Sequence, residues 1–250
     1  MQYGICHLSI VPVRLNPANQ EELVTQLLYG DLYQIKEQRK HWSRIKTAFD
    51  DQEGWIANNQ IHPIDQTLYE KYNGKNDHEI STDFMAYVTS DKGVLSPIVL
   101  GSRVDLAPVL KDTFEGNTSL TLKDKPHLVQ SALLYLNAPF MWGGKTPFGI
   151  DSAGFTQMVY KLNGYRLFRD TIKQSNQGEA LSFIEESEPG DLAFFDNDEG
   201  IINHVGIILK DNYIIHAHGK VRIDRIDHTG IFNTDEKQYT HQLRVIKKIA

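Results

Sequence analysis

The strongest constraint on the fold is a change in hydrophobic pattern at Pro126. Residues 128–136 are typical of a helix that ends before Pro139. A second helix is indicated by apolar residues at i, i+3, i+4 and i+7, namely Phe155, Met158, Val159 and Leu162. Strand patterns follow at 192–195, 204–209, 213–217, 221–226 and 243–249. A helix pair followed by an antiparallel sheet predicts an α+β domain over residues 126–250.

The chain before Pro126 is rich in short strand patterns separated by turn signals. Residues 1–75 predict a small β-barrel or sandwich, with Trp42 and Trp55 expected to fill its core. A polar stretch at 72–79 is typical of a linker. Residues 80–122 predict a second, smaller β unit, with strands at 84–89, 97–100 and 103–106.

Charge and composition exclude some partners. The net charge is −6, and no run of Lys and Arg is interleaved with aromatic residues, so we expect no nucleic-acid partner. No stretch approaches 18 apolar residues, and the first residues lack the pattern of a leader, so we expect no membrane partner. Because Cys6 is the single cysteine, no internal disulfide forms, and we expect a cytoplasmic protein.

Ser152 lies where turn residues give way to the second helix, in the segment 149–155. A nucleophile at a helix N-terminus gains from the free N–H groups and the positive end of the helix dipole. Serine is also a favoured N-cap residue, so a purely structural role for Ser152 is open at this point.

Two histidines lie on consecutive predicted strands joined by a short turn near Asp211. In that hairpin His204 is opposite His218 and diagonal to His216, and all three side chains point to one face. One histidine could act as a base and the next could orient it, as nucleophilic catalysis requires. Buried histidines without a catalytic role would show the same spacing.

Five segments in the second half carry a resemblance to a known family: 139–144, 149–155, 189–195, 204–207 and 215–217. In this order they resemble the NlpC/P60 family of papain-like cysteine peptidases. The first unit, with Trp42 and Trp55, resembles a bacterial SH3 domain, and residues 80–122 are similar to a second one. Together they resemble the γ-D-glutamyl-L-diamino-acid endopeptidases that trim murein peptides, including those of cell-wall recycling.

The resemblance implies a Cys-His-His triad with His204 as base, His216 as the orienting residue and Ser152 at the position of the nucleophilic cysteine. It also implies that Asp151 binds the free amine of an N-terminal L-Ala, and that Trp142 lies among the substrate-binding residues.

Three departures surround this position. The family commonly has hydroxyl-bearing side chains where this chain has Phe140, Ala153 and Ile172. Each lost hydroxyl would remove a polar contact to the substrate or the oxyanion, so these positions predict a more apolar substrate pocket.

Four functions remain open at this point. The first is an inactive homologue that binds a murein-derived peptide or a protein partner. The second is a cysteine endopeptidase of murein peptides whose cysteine has been changed to serine at 152, and the third is a serine-dependent hydrolase. The fourth is a metal site built from His204, His216 and His218, with His228 as a further ligand, although no Cys or Glu cluster supports it. Our expectation is that the protein uses neither a metal nor a cofactor.

Overall fold

The computed structural model describes residues 2–73, 78–119 and 123–249. The chain divides into two compact units, Met1–Thr121 with Trp142–Thr146, and Leu122–Met141 with Pro147–Ala250. The two β-rich segments that the sequence predicts as separate domains therefore fall within one unit. The short segment 142–146, predicted as part of the C-terminal domain, groups with them.

The first unit begins with a seven-stranded antiparallel sheet of strand order β3-β2-β6-β5-β4-β1-β7. These strands are β1 (Gln2–Ile5), β2 (Ile10–Arg14), β3 (Leu23–Leu28), β4 (Leu32–Gln38), β5 (Trp42–Thr47), β6 (Glu53–Ala57) and β7 (Pro63–Ile64). Helix α1 (Gln66–Asn73), which the sequence analysis missed, follows them. The predicted linker at 72–79 overlaps the end of α1, and its residues 74–77 lie outside the described residues.

The core of this sheet is filled mainly by aliphatic side chains, and only one of the two tryptophans is buried. A buried cluster comprises Cys6, Val11, Val13, Leu27, Tyr33, Ile35, Ile45 and Ile56. Trp42 is only half-buried, and the buried Trp55 carries the guanidinium of Arg39 4.4 Å above its ring. The prediction of a core position is therefore confirmed for Trp55 and wrong for Trp42, since aliphatic residues already occupy most of the interior.

Residues 78–119 add short strands to the first unit. These are β8 (Ile80–Ser81), β9 (Met85–Ser90), β10 (Leu95–Val99), β11 (Asp112–Phe114) and β12 (Thr118–Ser119). They form a three-stranded sheet, β10-β9-β11, and a two-stranded one, β12-β8. The strand predicted at 103–106 is wrong, because Arg103 makes only an isolated bridge to Ile80 and a 3-10 helix begins at Ala107.

Cys6 lies in the core of the first sheet, where its thiol donates to the carbonyl oxygen of Leu8 at 3.2 Å. Burial raises the pKa of the Cys6 thiol, so the reactive thiolate is scarce near neutral pH. We expect a thiol reagent to label Cys6 slowly in the native protein and at once in denaturant. Mass spectrometry measures the labelling rate, and fast labelling of the native protein would contradict the buried position of Cys6.

The second unit contains helices α2 (Lys125–Leu133), α3 (Ser152–Leu162) and α4 (Thr171–Ser175). Strand β13 (Lys145–Thr146) belongs to the first unit, and β14 (Gly149–Ile150) leads into α3. The main strands are β15 (Glu179–Leu181), β16 (Leu192–Asp196), β17 (Ile202–Ile208), β18 (Tyr213–His218), β19 (Lys220–Ile226), β20 (Gly230–Asn233) and β21 (Gln238–Lys248). Their order is β15-β21-β16-β17-β18-β19-β20, and β20 also pairs with β21, which closes six strands into a barrel.

The predicted apolar face places α3 against this barrel. All residues of α3 are buried, and the helix packs on β17 and β18. Gly164, with φ of +84°, follows the C-cap residue Asn163, as the sequence predicts for the end of this helix. None of the helices in the described part of the chain is both long enough and apolar enough to span a bilayer.

Candidate active site

Ser152 is the first residue of α3, and Asp151 is the residue that caps it. The Asp151 Oδ1 atom accepts a hydrogen bond of 2.7 Å from the backbone N–H of Gly154. The interpretation of Ser152 as an N-cap residue is therefore wrong, because a better acceptor precedes it by one position. Ser152 itself is 6% exposed, and it lies in the first helical turn, where backbone N–H groups lack intrahelical partners.

Asp151 also forms a buried ion pair. Its Oδ2 atom accepts a hydrogen bond of 2.5 Å from Nη2 of Arg169, and both side chains are less than 10% exposed. A carboxylate offers about four lone-pair positions, so it can serve several donors at once. Arg169 thus orients Asp151 at the start of α3.

His204 and His216 are in direct contact and lie on the neighbouring strands β17 and β18 of the barrel. Nε2 of His204 lies 2.9 Å from Nδ1 of His216, and both side chains are buried. The hairpin register pairs Gly206 with His216, which is the register predicted from the turn near Asp211. The two residues proposed as base and orienting residue are therefore brought together.

A third residue, which the sequence analysis missed, continues the contact. Nε2 of His216 lies 3.0 Å from Oδ2 of Asp224, and both side chains are inaccessible to solvent. Arg222 donates to both oxygens of Asp224, at 2.6 Å from Nε and 2.9 Å from Nη2. His204, His216 and Asp224 form a continuous line of polar contacts, named here the histidine relay.

Burial and neighbouring charges set the protonation states of the relay. Burial lowers the pKa of His204 well below its usual value, and the nearby histidines lower it further. Burial also lowers the pKa of His216, although the hydrogen bond to Asp224 opposes this effect. Burial alone would raise the pKa of Asp224, but the hydrogen bonds from His216 and Arg222 outweigh it and bring that pKa to about 2. At neutral pH both imidazoles are neutral and Asp224 is ionised.

His241 on β21 is a second residue that sequence reasoning missed. Its ring stacks on that of His204, with centroids 4.0 Å apart and planes inclined by 28°. Burial lowers the pKa of His241 to about 3. His204, His228 and His241 also line one cavity of about 630 Å³, which His216 and His218 do not line.

Three imidazoles are close enough to consider as metal ligands. Single nitrogen atoms of His204, His216 and His241 lie within 4.8 Å of one another. Imidazole lone pairs lie in the ring plane, so the stacked rings of His204 and His241 do not direct them at a common point. His204 and His216 already satisfy each other by a hydrogen bond. The group could hold a metal only after the His241 ring has turned.

The remaining predicted residues of the second unit lie on segments around the start of α3. Ala153 is buried, and its carbonyl oxygen accepts a hydrogen bond of 3.0 Å from Nε2 of Gln174 on α4. Ile172, on the same helix, is 47% exposed. Phe140 is 40% exposed and bridges to Ile150, while its backbone N–H donates to the carbonyl of Gly219.

Trp142 lies in the first unit. Its indole Nε1 donates to Oε1 of Glu22 at 2.5 Å. The next residue, Gly143, has φ of +76°, and a Cβ atom there would lie 2.2 Å from the carbonyl oxygen of Leu23. Glycine at this position therefore allows the segment 142–146 to lie directly against β3.

The lowered histidine pKa values predict acid lability. In the unfolded chain histidine titrates near pH 6.5, whereas His204 and His241 remain neutral in the native state well below that pH. The unfolded state then binds more protons, so stability is fully present above pH 6.5 and is lost as pH falls. For His241, whose pKa is lowered to about 3, this should cost about 2 kcal/mol of unfolding free energy between pH 7 and pH 5, and His204 should add to the loss in the same direction.

Urea denaturation at several pH values measures this effect. A His241→Gln variant should lose less stability over the same interval, by about 2 kcal/mol. An unfolding free energy that does not change between pH 7 and pH 5 would contradict the neutral state of both histidines.

Fold and site together define the class of protein: a papain-like α+β domain in which a serine occupies the first turn of the central helix and a His–His pair lies on the adjoining strands. Residues 137–243 match the NlpC/P60 family, and residues 13–61 match the SH3 domain of bacterial dipeptidyl-peptidases. The chain therefore carries an NlpC/P60 domain behind a bacterial SH3 domain, as the sequence motifs predict.

Known relatives cover most of the chain. The γ-D-glutamyl-L-lysine dipeptidyl-peptidase of Bacillus subtilis is 25% identical over 232 residues, 82% of this chain and 75% of that protein. Dipeptidyl-peptidase 6 of Lysinibacillus sphaericus is 26% identical over 243 residues, 84% of this chain and 87% of that protein. The chain is homologous to these peptidases.

A solved structure supports the fold over nearly the whole chain. The crystal structure of an NlpC/P60 family protein from Bacillus cereus superposes with a TM-score of 0.77 at 19% identity. It covers 98% of this chain and 99% of that one. An α+β domain behind an all-β SH3-like region is thereby confirmed as the fold class.

Proposed function

We propose that this protein is a catalytically inactive NlpC/P60 homologue that binds a murein-derived peptide of the L-Ala-γ-D-Glu-diamino-acid type. The observation that carries the proposal is Ser152, a hydroxyl at the first residue of α3, the position that the sequence resemblance assigns to the nucleophilic cysteine. The name of the Bacillus subtilis relative, a γ-D-glutamyl-L-lysine dipeptidyl-peptidase, supports the ligand class.

The chemistry of the nucleophile supports inactivity. A cysteine thiol has a reference pKa of about 8.5 and forms a thiolate readily beside a helix N-terminus. A serine hydroxyl is far less acidic and must lose its proton in concert with attack, which requires a tuned base and a strong oxyanion hole. A site whose geometry fits the longer bonds of sulfur does not place its base and oxyanion hole correctly for a serine hydroxyl.

Three further side chains support the same conclusion. Phe140, Ala153 and Ile172 each lack the hydroxyl that the family commonly supplies. Buried polar groups of a substrate that find no partner cost roughly 1–3 kcal/mol each. The engineered change of one cysteine would account for Ser152 and would leave these three positions unexplained.

Asp151 supports peptide binding. Its carboxylate is buried, held by Arg169 and kept in place by the cap of α3. A preorganised buried carboxylate is suited to a primary ammonium group, such as the free N-terminus of an L-Ala peptide. The proposal therefore assigns Asp151 to the amine of the ligand.

Isothermal titration calorimetry with L-Ala-γ-D-Glu-diaminopimelate tests this assignment. We expect binding, and at least about tenfold weaker binding of the N-acetylated peptide, because acetylation removes the ammonium charge. Asp151→Asn should weaken binding of the free peptide by a similar factor.

A matched control is Asp170→Asn, since Asp170 caps α4 through the backbone N–H of Lys173 and is exposed. That variant should bind as the wild type does. Equal affinity for the free and acetylated peptides would remove Asp151 from the amine site, and no binding of either would favour a protein partner instead.

The second candidate is a cysteine endopeptidase whose cysteine has been replaced by serine at 152. It is favoured by the histidine relay, which is intact and buried. The native codon at position 152 separates the two: a serine codon supports the inactive homologue, and a cysteine codon supports the peptidase.

A further inference from the structure

The geometry of the histidine relay determines which nitrogen donates and which accepts in each of its hydrogen bonds. Arg222 donates to both carboxylate oxygens of Asp224 in a bidentate hydrogen-bonded ion pair. It also donates through Nη2 to Oδ1 of Asn233 and to Oδ2 of Asp235. Asp224 is therefore fixed in position on β19, with Oδ2 aimed at His216.

The positions of the protons in the histidine relay follow from Asp224, the acceptor at its end. An ionised carboxylate only accepts hydrogen bonds, so Nε2 of His216 must carry a hydrogen to satisfy the 3.0 Å contact with Asp224. A neutral imidazole has one N–H, so Nδ1 of His216 holds a lone pair. The 2.9 Å contact then requires that Nε2 of His204 donates to Nδ1 of His216.

We propose that Asp224 is a positioning residue that fixes His216 and His204 in their Nε2–H tautomers, so that the basic lone pair of His204 lies on Nδ1. The sequence resemblance assigns roles to His204 and His216 alone, and Asp224 extends the line by one residue. The inference concerns proton positions in the resting protein, and it holds whether or not Ser152 reacts.

The burial of the relay makes this assignment strong. The side chains of His216 and Asp224 are inaccessible to solvent, so the contact between them is shielded from bulk water. The other tautomer of His216 would direct a lone pair at an ionised carboxylate across 3.0 Å. The hydrogen bond between the two histidines would then have to reverse, with His204 in its Nδ1–H tautomer and its Nε2 accepting from Nδ1–H of His216.

The other residues near the relay are consistent with this direction. His241 stacks face to face on His204, and this contact does not depend on the tautomer of either ring. The ring of His218 lies 6.3 Å from that of His216, centroid to centroid, beyond hydrogen-bond range for the facing planes. Asp235 contacts Arg222 but not the histidines, and its side chain is exposed.

Long-range 1H–15N correlation spectra of the full-length protein, labelled with 15N-histidine, test the proposal at neutral pH. In the wild type we expect the Nε2–H tautomer of both His204 and His216 to dominate by at least about tenfold, the ratio for one hydrogen bond to a charged group. In Asp224→Ala this ratio should fall by about tenfold or more at both residues.

Asp235→Asn is the matched control, because it removes a carboxylate from the same Arg222 without touching the relay. It should leave both tautomer ratios unchanged. An Nδ1–H tautomer of His204 in the wild type would overturn the proposal, and this result does not depend on whether Asp224→Ala folds. If Asp224→Ala folds and keeps both ratios, the proposal also fails. Neither result bears on peptide binding, which calorimetry measures separately.

Discussion

The purified protein is expected to leave L-Ala-γ-D-Glu-diaminopimelate uncleaved, at a rate no higher than that of a Ser152→Ala variant. Disabling the nucleophile of a tuned triad costs on the order of 10⁶ in rate, as measured in an unrelated enzyme. The relay supplies a neutral base, yet a base alone does not make a hydroxyl as reactive as a thiolate. Chromatography of the peptide with mass detection, over many hours at high protein concentration, measures the rate.

The Ser152→Ala variant is the control for trace contamination by a host peptidase. Ser152 lies at the start of α3 and is not its cap, so the substitution leaves the capping contact of Asp151 in place. Turnover well above this control would contradict the inactive homologue and would favour a serine-dependent hydrolase.

A Ser152→Cys variant is expected to recover only part of a peptidase activity. The restored thiol would have the neutral His204 as its base, so some turnover is expected. Catalysis also requires the peptide in an attack geometry, and a misplacement of about 1 Å can cost on the order of 10²-fold. We therefore expect kcat/KM of this variant to lie at least about 10²-fold below that of a fourfold variant.

The fourfold variant adds the hydroxyls of Phe140→Tyr, Ala153→Ser and Ile172→Ser. Phe140 and Ile172 are 40% and 47% exposed, so new hydroxyls there have access to water. Ala153 is buried, so a hydroxyl there needs an internal partner, and thermal unfolding must confirm that the variant folds. The threefold variant that retains Ser152 is the matched control and should be inactive.

Equal activity of the single and fourfold variants would show that the substrate pocket is not degraded. The second candidate, a cysteine peptidase changed at one position, would then be the better account of this chain.

The hairpin that carries His204 and His216 was predictable because its register depends on local chemistry alone. A short turn at Asp211 and Asn212, both with positive φ, sets which residues face each other. Alternation then places every second side chain on one face. The helix that begins at Ser152 was predictable for the same reason, since its apolar face repeats within a dozen residues.

His241 was not predictable, because long-range strand pairing decides its position. It reaches His204 only after β21 pairs with both β16 and β20 to close the barrel. Both pairings contain a register shift, and a shift of one residue reverses the face of every side chain beyond it. Strand β1, which pairs with β4 and β7, was missed on similar grounds.

Asp224 was missed because charged residues on a strand normally face solvent. Here Arg222 and His216 satisfy the carboxylate and compensate for its burial, and neither contact can be read from the hydrophobic pattern. The sequence signal available for Asp224 was its spacing of i and i+2 from Arg222, on the strand that follows the one carrying His216. The strand predicted at 103–106 was wrong for a different reason, since only Arg103 makes a bridge and a 3-10 helix begins directly after this segment, at Ala107.

Native mass spectrometry of the wild-type protein mixed with L-Ala-γ-D-Glu-diaminopimelate shows directly whether the peptide is bound and left intact. After a day of incubation, we expect a one-to-one complex whose mass equals that of the protein plus the intact peptide. The free peptide should also remain whole. Peptide fragments, or a covalent acyl adduct that maps to Ser152, would contradict the claim that this NlpC/P60 domain binds its ligand without cleaving it.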